Sequence, residues 1–360
     1  MLIQIVPRLP PDTDGVGAYS LKLAQQLHQS YRLETHFLVG NSNWKGESCV
    51  QGFSVSHSSQ PSSATLLSFL PHERNSVVLL HYVGYGYAKR GCPTWLIEGL
   101  EQWKAKSSGA QLVTMFHEIY ASGPPWTSAF WLSPLQRNLA TRLAKLSDRI
   151  LTSKQLYAEL LCELDPKHHS QIPVLPVFST VGEPTQVLPL AERAPQLVVF
   201  GGRASRLRVY RESIDTLIKI CQTLGIKKVL DIGPPTGLNL SFTKEVVVVE
   251  RGALPVVEIS QILSHSLAGF LAYPPDFLAK STIFAAYCAH GILPINLGKK
   301  SKSADGIEAG KHYWSPDMPN SALKDLTAMQ AIADSGYTWY QTHNLQVHTK
   351  TFAACLGHNS

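Results

Sequence analysis

One pattern repeats along almost the whole chain: a short run of apolar residues, a turn, and a segment with helical periodicity. The apolar runs fall at 2–6, 36–39, 77–81, 111–117 and 149–152, and again at 196–202, 227–233, 245–250, 267–273 and 292–297. Helical segments between them include 18–28, 132–145 and 212–224. The runs are continuous rather than alternating, which is typical of parallel strands covered on both faces. The pattern therefore predicts an α/β fold whose parallel sheets are built by right-handed crossovers.

The segment at 173–196 interrupts this pattern. It carries five prolines, and the apolar run QLVVFGG then restarts the series. A proline-rich polar stretch between two such series is typical of an interdomain linker. We therefore predict two Rossmann-like domains, at 1–178 and 196–335, joined by a linker at 179–195. The following segment, 321–357, looks helical, and the residues alone do not indicate which domain it packs against.

Composition excludes several classes of protein. Hydrophobic residues make up 44% of the chain and charged residues 16%, a balance that supports cores and argues against disorder. No apolar run approaches the ~18 residues of a spanning helix. The start, MLIQIVPRLP, lacks the basic and apolar regions of a signal peptide, so we expect neither a membrane span nor secretion. The six cysteines are scattered and form no C-x-x-C pair, so neither a disulfide framework nor a zinc site is expected. We therefore expect the protein to lie in the reducing cytoplasm.

The net charge is modest. Thirty-two Lys and Arg against 26 Asp and Glu give +6, which is too small and too dispersed to predict nucleic-acid binding. The densest basic cluster, at Lys299, Lys300 and Lys302, lies in a Gly/Ser-rich stretch and is typical of a solvated loop. A slightly basic face would still suit phosphate-bearing ligands or an anionic membrane surface.

The first candidate site directly follows the first apolar run. Gly15 and Gly17 stand at the turn into a helix, where backbone amides can approach an anionic group that a Cβ would obstruct. The pattern is not G-x-G-x-x-G, and no acidic residue follows where a ribose hydroxyl would need one. A dinucleotide site is therefore weakly indicated, and a tight turn without a ligand is the alternative.

A histidine closes the fourth run. His117 and Glu118 end the stretch VTMFHEIY, where side chains of an open α/β sheet reach the ligand crevice. His117 could orient a hydroxyl or act as an acid or base. The alternative is a hydrogen-bonded histidine at a strand end.

Arginines follow the run that opens the second half. Gly201 and Gly202 precede Arg203, Arg206, Arg208 and Arg211 within nine residues. Because arginine forks match phosphate oxygens, several around one loop indicate a diphosphate site. We favour this over a solvated loop, since the arginines come after a strand and two glycines rather than along an exposed helix.

A fourth candidate lies at the start of a nearly apolar helix that ends near Gly291. Lys280, Ser281 and Thr282 follow Pro274 and Pro275. A cation, two hydroxyls and open amides at the N-terminus of a buried helix would suit a phosphate. Simple N-capping by Ser281 or Thr282, with Lys280 in solvent, is the alternative.

Together these stretches resemble the two-domain nucleotide-sugar glycosyltransferases of the GT-B fold, in particular the bacterial family 4 type and, within it, cyanobacterial enzymes of envelope or extracellular polysaccharide assembly. The glycine loop is similar to Asp14–Gly17 here, and the family's strand-end histidine to His117. The strand, Gly-Arg and later basic residue that open the family's second domain are similar to Gly202, Arg203 and Arg208.

The resemblance extends toward the end of the chain. The family's base-contacting turn is similar to 252–255, which contains Leu254 and is followed by Glu258. The terminal helix around 340–356 resembles the one that crosses back to the first domain, so 336–360 is expected to do so here. One feature departs from the family: aligned on Gly291, its two glutamates are replaced by Leu278 and Ala286.

The resemblance implies a metal-independent, retaining transfer of a hexose from a nucleotide sugar, UDP-glucose or a similar donor, to a glycan or lipid-linked acceptor. It implies that Gly202, Arg203, Arg208, Leu254, Lys280, Ser281 and Thr282 bind the donor. Gly15 and Gly17 would form the acceptor-side loop, and His117 and Gly17 would lie at the reacting sugar. We expect no metal, no further cofactor, no nucleic-acid partner, and a cytoplasmic protein that associates peripherally with the membrane.

Two other functions remain open. A catalytically degenerate member that binds nucleotide or glycan and serves as an assembly partner is favoured by the loss of both glutamates. A dinucleotide oxidoreductase is permitted by the same strand–helix alternation and disfavoured by the imperfect glycine pattern.

Overall fold

The computed structural model describes residues 1–12, 14–121, 123–166, 171–240, 246–298 and 303–358. Their contacts divide the chain into two compact units. Met1–Pro176 and Leu345–Ser360 form the first unit, and Val177–Asn344 form the second. Residues 179–195 thus group with the second unit, and the chain returns to the first at Leu345. Lys299, Lys300 and Lys302 lie outside the described residues.

The first unit alternates strands and helices as the apolar runs predict. In chain order its elements are β1 Leu2–Val6, α1 Gly15–Tyr31, β2 Thr35–Val39, β3 Cys49–Val50, β4 Phe53–His57, α2 Ser63–Phe69, β5 Val77–Tyr82, α3 Gly84–Tyr87, α4 Thr94–Lys106, β6 Gln111–Phe116, α5 Ser128–Leu146, β7 Arg149–Thr152 and α6 Gln155–Leu164.

The first sheet has the order β3-β4-β2-β1-β5-β6-β7. Every pair is parallel except β3–β4. Strands β1, β5 and β6 are buried on both faces, which explains why their sequences are continuously apolar. Strand β1 pairs with β2 on one side and β5 on the other, so the connections change direction between β1 and β5.

The β3–β4 hairpin is absent from the sequence-based prediction. Its two-residue turn is Gln51 and Gly52, both with positive φ (50° and 87°). This is the left-handed geometry that tight hairpins require, and Gln-Gly is a weaker signal for it than Asn-Gly. Strand β4 lies near the sheet edge and alternates buried and exposed residues, so a search for continuous apolar runs does not find it.

Among its described residues, the second unit repeats the architecture with five strands. Its elements are β8 Ala194–Phe200, α7 Arg203–Glu212, α8 Ile214–Thr223, β9 Lys228–Ile232, β10 Val247–Gly252, α9 Val256–Ser264, β11 Ser266–Leu271, α10 Thr282–Ala289, β12 Leu293–Asn296 and α11 Leu326–Gln341. Three 3-10 helices accompany them at Leu190–Glu192, Pro275–Lys280 and Asn320–Leu323. The sheet order is β10-β9-β8-β11-β12, and all its pairs are parallel.

Helix α7 corrects one expectation, because the arginine-rich stretch is helical rather than a loop. Arg206, Val209 and Tyr210 are buried at helical spacing and form the inner face. Arginine, alanine and leucine are good helix formers. The first buried residue of this face, Arg206, is charged, so a search for apolar periodicity does not detect the helix.

The last helix, α12, spans Leu345–Cys355 and packs against α1 of the first unit. It begins later than the predicted 340, because Thr342–Asn344 interrupt the helical segment and Tyr340 belongs to α11. Within the described residues, no helix combines the length and apolar character needed to cross a membrane.

Candidate functional site

The second sheet has a topological switch point between β8 and β11. Strand β8 pairs with β9 on one side and with β11 on the other, so successive connections leave its carboxyl end in opposite directions. Ligands of open α/β sheets bind outside the carboxyl ends of the strands at such a point. Four of the predicted donor-site stretches can be judged against it.

The Gly201–Gly202 turn lies at this switch point. Gly201 has φ +128°, and a Cβ there would come within 2.6 Å of Ile283 Cδ1, at the start of α10. The turn after β8 and the first residues of α10 are therefore in close contact. Gly202 caps α7 without any side chain, and a Cβ at this position would meet no atom within 4 Å. The space beside Gly202 at the start of α7 is therefore open, and the first backbone amides of a helix have no partner within the helix.

Arg203 and Arg208 are exposed on α7 and are tied to neighbouring strand ends. Arg203 Nη2 donates to the Thr236 carbonyl at 3.0 Å, beyond β9. Arg208 Nη1 lies 3.4 Å from the Ala272 carbonyl, just beyond β11. A guanidinium has five N–H donors, so both side chains can bind an anion while keeping these contacts.

Arg206 has a different role, because it is fully buried. It pairs with the Asp231 carboxylate and donates to the carbonyls of Gly201 and Pro234. Tyr210 donates its hydroxyl proton to the other Asp231 oxygen at 2.7 Å. Burial raises the pKa of the Asp231 carboxyl, while the Tyr210 hydrogen bond and the Arg206 charge oppose that shift. This network fixes the loops after β8 and β9.

The predicted Lys280–Thr282 stretch is divided between two elements. Lys280 ends the 3-10 helix, and its Nζ lies 5.9 Å from the centre of the Phe277 ring. Ser281 is the buried N-cap of α10, and its Oγ accepts from the Phe284 amide at 3.2 Å. Thr282 is the first residue of α10, and the next residue, Ile283, contacts Gly201. The N-termini of α7 and α10 thus converge.

Leu254 lies in the turn between β10 and α9. It is half-buried, whereas Glu258 on α9 is exposed. The preceding Gly252 has φ +67°, and its carbonyl accepts from the Gly233 amide at 2.8 Å. Leu278 and Ala286, which replace the family's glutamates, are both buried, with 1% and 0% of their surface exposed. Neither offers a polar atom to a sugar.

In the first unit, Gly15 and Gly17 differ in their surroundings. Gly15 is exposed and has room for a side chain, whereas a Cβ on Gly17 would lie 2.2 Å from the Arg8 carbonyl oxygen. The Gly17 amide donates to Asp14 Oδ1 at 2.7 Å, so Asp14 caps α1. Burial raises the pKa of the Asp14 carboxyl, and the Gly17 amide partly offsets this. Gly17 is therefore required by close backbone packing.

His117 is buried just beyond β6 and takes part in a chain of hydrogen bonds. Its Nε2 lies 3.1 Å from His81 Nδ1, and His81 Nε2 lies 3.2 Å from Gln4 Oε1. Complete burial lowers the pKa of His81 to about 3, so this ring is neutral. With its proton on Nε2 for Gln4, His81 presents Nδ1 as an acceptor, and the bridging proton belongs to His117 Nε2.

A third histidine, His348, connects α12 to this region. The Tyr19 ring contacts His117 edge-on, at 5.1 Å between ring centres, and its hydroxyl lies 2.8 Å from His348 Nδ1. His348 Nε2 lies 2.9 Å from the Pro176 carbonyl. Burial lowers the pKa of His348 to about 4, so it too is neutral. Helix α12 thereby supports the residue that packs against His117.

Asp12 and Asp14 form an Asp-x-Asp triplet, a pattern that can hold a divalent metal. Asp12 Oδ2 lies 3.7 Å from Arg8 Nε, and Asp14 caps α1. Both carboxylates therefore have protein partners. Within the described ranges, no group of three or more His, Cys, Asp or Glu side chains could hold a metal ion.

Comparison with known proteins decides the fold. No protein-family model and no curated protein sequence matches the chain. Solved structures do: HepE from Anabaena, in complex with UDP and glucose, superposes with a TM-score of 0.64 at 12% identity over 99% of both chains. An alpha-glucosyltransferase in complex with UDP-glucose and DNA superposes with 0.63 at 12% identity over 98% of both. The chain has the GT-B fold.

The lipopolysaccharide outer core galactosyltransferase WaaB is a further GT-B neighbour. Its TM-score is 0.55 at 12% identity over 99% of both chains. The predicted fold class, two parallel-sheet Rossmann-like domains, is thereby confirmed. At these identities the likeness establishes the fold alone.

Three polar residues around the GT-B switch points were not predicted from sequence. Asp14 had an available signal, since an acidic residue just before a helix is a common N-cap. His81 and Asp231 had none. Each lies within an apolar strand, and only the sheet order brings His81 beside His117 and Asp231 beside Arg206.

Proposed function

We propose that this protein is a metal-independent glycosyltransferase that transfers a hexose from UDP-glucose or a related nucleotide sugar to a glycan or lipid-linked acceptor in cytoplasmic polysaccharide biosynthesis. The observation that carries the proposal is the convergence of the α7 and α10 N-termini at the switch point of the second sheet, flanked by Arg203 and Arg208. This is a suitable environment for a diphosphate, because amide dipoles and guanidinium forks both favour negative charge.

In this proposal the second unit binds the donor. The pyrophosphate lies at the start of α7 beside Gly202, with Arg203 and Arg208 on its oxygens. The hydroxyl groups of Ser281 and Thr282, together with Lys280, complete the site, and the turn containing Leu254 contacts the base. As the bond between the sugar and the phosphate breaks, negative charge develops on the departing UDP, and the arginines and amides stabilise it.

The first unit supplies the acceptor side. Gly15 and Gly17 form the acceptor-side loop, and His117 hydrogen-bonds a sugar hydroxyl. Membership of family 4 and retention of the anomeric configuration belong to the same proposal and rest on the sequence resemblance. Buried Leu278 and Ala286 cannot bind the sugar as glutamates would, so its hydroxyl groups must be recognised by other residues.

Calorimetric titration with UDP, GDP, ADP and NADH, without added metal, tests the donor site. We expect selective UDP binding that falls by about 10–100-fold in Arg203→Ala and Arg208→Ala, as loss of a charge-assisted hydrogen bond predicts. Arg211→Ala is the matched control, because Arg211 is exposed at the far end of the same helix. We expect its affinity to be unchanged.

Each outcome of the titration separates the proposal from its alternatives. UDP binding followed by transfer or hydrolysis of a UDP-sugar supports the enzyme, whereas UDP binding without turnover on any UDP-sugar indicates a degenerate assembly protein. Selective NADH binding would indicate an oxidoreductase. Because one structural neighbour was crystallised with DNA, an arm with duplex DNA as acceptor tests the expectation that nucleic acid is not a partner.

A further inference from the structure

Five large apolar side chains are exposed near one another on the first unit. Trp126 and Trp131 are 84% and 72% exposed, and Phe130, Leu135 and Tyr85 are each more than 40% exposed. We call these five residues the aromatic surface. Isolated exposed apolar residues are common, but a contiguous patch that contains two indole rings marks an interaction site.

Hydrogen bonds and ring contacts hold these residues together. Trp131 Nε1 donates to the Pro125 carbonyl at 2.9 Å, which brings the Trp126 loop against α5. Phe130 and Trp131 meet edge to face at 5.4 Å between ring centres. Gln136 Nε2 lies 3.2 Å from the Tyr85 hydroxyl. The aromatic surface is therefore part of the folded unit.

The two segments that carry the aromatic surface have a net positive charge. Segments 83–91 and 121–138, which contain all five residues, include no Asp or Glu. They do include Lys89, Arg90 and Arg137, all exposed. Arg137 lines the same shallow concavity as Phe130 and Trp131, and Gln136 Nε2 donates to the Arg90 carbonyl at 2.9 Å. The nearest acid–base pair on α5, Arg142 with Glu101, lies beyond this face.

The aromatic surface lies on the connections that leave the carboxyl ends of β5 and β6. Tyr85 follows β5, and residues 121–138 follow β6. The loop before Gly15 and His117 leave the same edge of this sheet, from β1 and β6. A partner bound here would be close to the predicted acceptor side.

We propose that the aromatic surface docks on the anionic headgroup region of a phospholipid bilayer. Tryptophan and tyrosine rings partition to the interface between headgroups and acyl chains, and neighbouring lysine and arginine bind anionic lipids. Ser133, Asn138 and Thr141 also line the concavity beside Phe130 and Trp131, so a glycan is the competing ligand. We favour the bilayer because the two most exposed side chains are indole rings, 84% and 72% exposed, and because Leu135, three prolines (Pro124, Pro125 and Pro134) and exposed cations accompany them. The inference stands on this patch alone and does not depend on donor binding.

Co-sedimentation with phosphatidylcholine vesicles, with and without phosphatidylglycerol, tests the proposal. We expect binding to phosphatidylglycerol vesicles, with the partition constant reduced more than about tenfold in Trp126→Ala/Trp131→Ala. Arg90→Gln and Arg137→Gln should each reduce it by about fivefold at low salt. Val257→Ser, an exposed apolar residue of the second unit, and Lys106→Gln, an exposed cation on α4, are matched controls that should bind as the wild type does.

Two results would overturn the proposal. One is wild-type protein that fails to bind phosphatidylglycerol vesicles, and the other is a double tryptophan variant that binds them unchanged. A parallel titration with soluble glucan identifies a sugar-binding surface if the double variant loses glucan binding while vesicles bind neither protein. The UDP affinity of Trp126→Ala/Trp131→Ala should match the wild type, so failure of membrane docking and failure of the donor site are separately visible.

Discussion

His81 Nδ1 lies 3.1 Å from His117 Nε2, and the two rings stack in the core of the first unit at 5.4 Å between centres. Gln4 Oε1 accepts a hydrogen bond from His81 Nε2, so His81 Nδ1 is left as an acceptor facing His117. We call this chain of hydrogen bonds, Gln4–His81–His117, the relay. His81 thus acts as a positioning residue: it fixes both the tautomer and the orientation of the histidine that the sequence places at the acceptor side.

We predict that His117 is in the Nε2-protonated tautomer, as shown by two-bond ¹⁵N–¹H correlation spectra assigned with His117→Asn. His81→Leu removes the acceptor, so we expect a mixture of tautomers and a loss of about 1–3 kcal/mol in the free energy of unfolding. His265→Asn, at an exposed position on the second unit, should change neither. An Nδ1-protonated His117 in the wild type would disprove the relay.

The stability of the protein should fall on mild acidification. Burial lowers the pKa of His81 to about 3 and the pKa values of His348 and His290 to about 4, below the ordinary value of 6.5. Between about pH 6.5 and about pH 4 these histidines are therefore protonated in the unfolded chain but remain neutral in the folded chain. Each histidine contributes up to about 1.4 kcal/mol per pH unit, and the loss is complete below the folded-state pKa.

The two units should respond differently to this acidification. Burial lowers the pKa of three histidines in the first unit, His36, His81 and His348, and of two in the second, His290 and His312, so the histidine contribution should be steeper in the first. Urea unfolding across this pH range, followed by unit-specific probes, measures both slopes. His348→Gln should flatten only the slope of the first unit; an unchanged slope would mean that His348 titrates normally. Raised pKa values at Asp14 and Asp231 act in the opposite direction, at pH values above the ordinary carboxyl pKa of 3.8.

Breaking the buried ion pair of the second unit should be strongly destabilising. Arg206→Met leaves Asp231 buried with only the Tyr210 hydroxyl, and we expect a loss of about 3–5 kcal/mol in the free energy of unfolding. The double variant Arg206→Met/Asp231→Leu should lose less than the sum of the two single variants, because no unpaired charge remains. Arg211→Met controls for loss of a guanidinium from α7. Additive losses in a double-mutant cycle would argue against a coupled pair.

Alanine should have different consequences at Gly201 and Gly202, the two adjacent glycines of the turn after β8. Residue 201 has a left-handed backbone conformation, and Gly201→Ala introduces a Cβ that clashes with Ile283. We therefore expect a loss of about 1–3 kcal/mol in the free energy of unfolding and weakened UDP binding. Gly202→Ala has room for its methyl group and should remain within about 1 kcal/mol of the wild type. Ile283→Ala should restore part of the Gly201→Ala loss. Equal effects at both positions would contradict the close approach of α10.

The sequence predicts the strands well because strands buried on both faces must be continuously apolar. The sequence does not predict the hairpin at Cys49–His57, because exposed and buried residues alternate in β4 and a Gln-Gly turn is unusual. Helix α7 is not predicted for a related reason. Its buried face begins with Arg206, a charged residue whose burial depends on Asp231, twenty-five residues further along the chain.

Candidate site residues are predictable where a local motif marks them and not where topology assembles them. The glycines after β1 and β8 stand out because the backbone must turn there. His81 is one apolar-strand histidine among 14 histidines in the chain, and its meaning comes only from the parallel pairing of β5 with β6. The roles of Arg203, Arg208, Leu254, Lys280, Ser281, Thr282 and His117 in binding or catalysis remain predictions for the experiments above.

The return of α12 to the first unit has a consequence for biosynthesis. Tyr19 emerges from the ribosome early, yet its partner His348 is translated 329 residues later, after the whole second unit. Until then the face of α1 that α12 covers has no cover from that helix. A nascent chain stalled within the second unit therefore carries an unfinished first unit, and we expect it to be a substrate for chaperones even after the second unit has begun to fold.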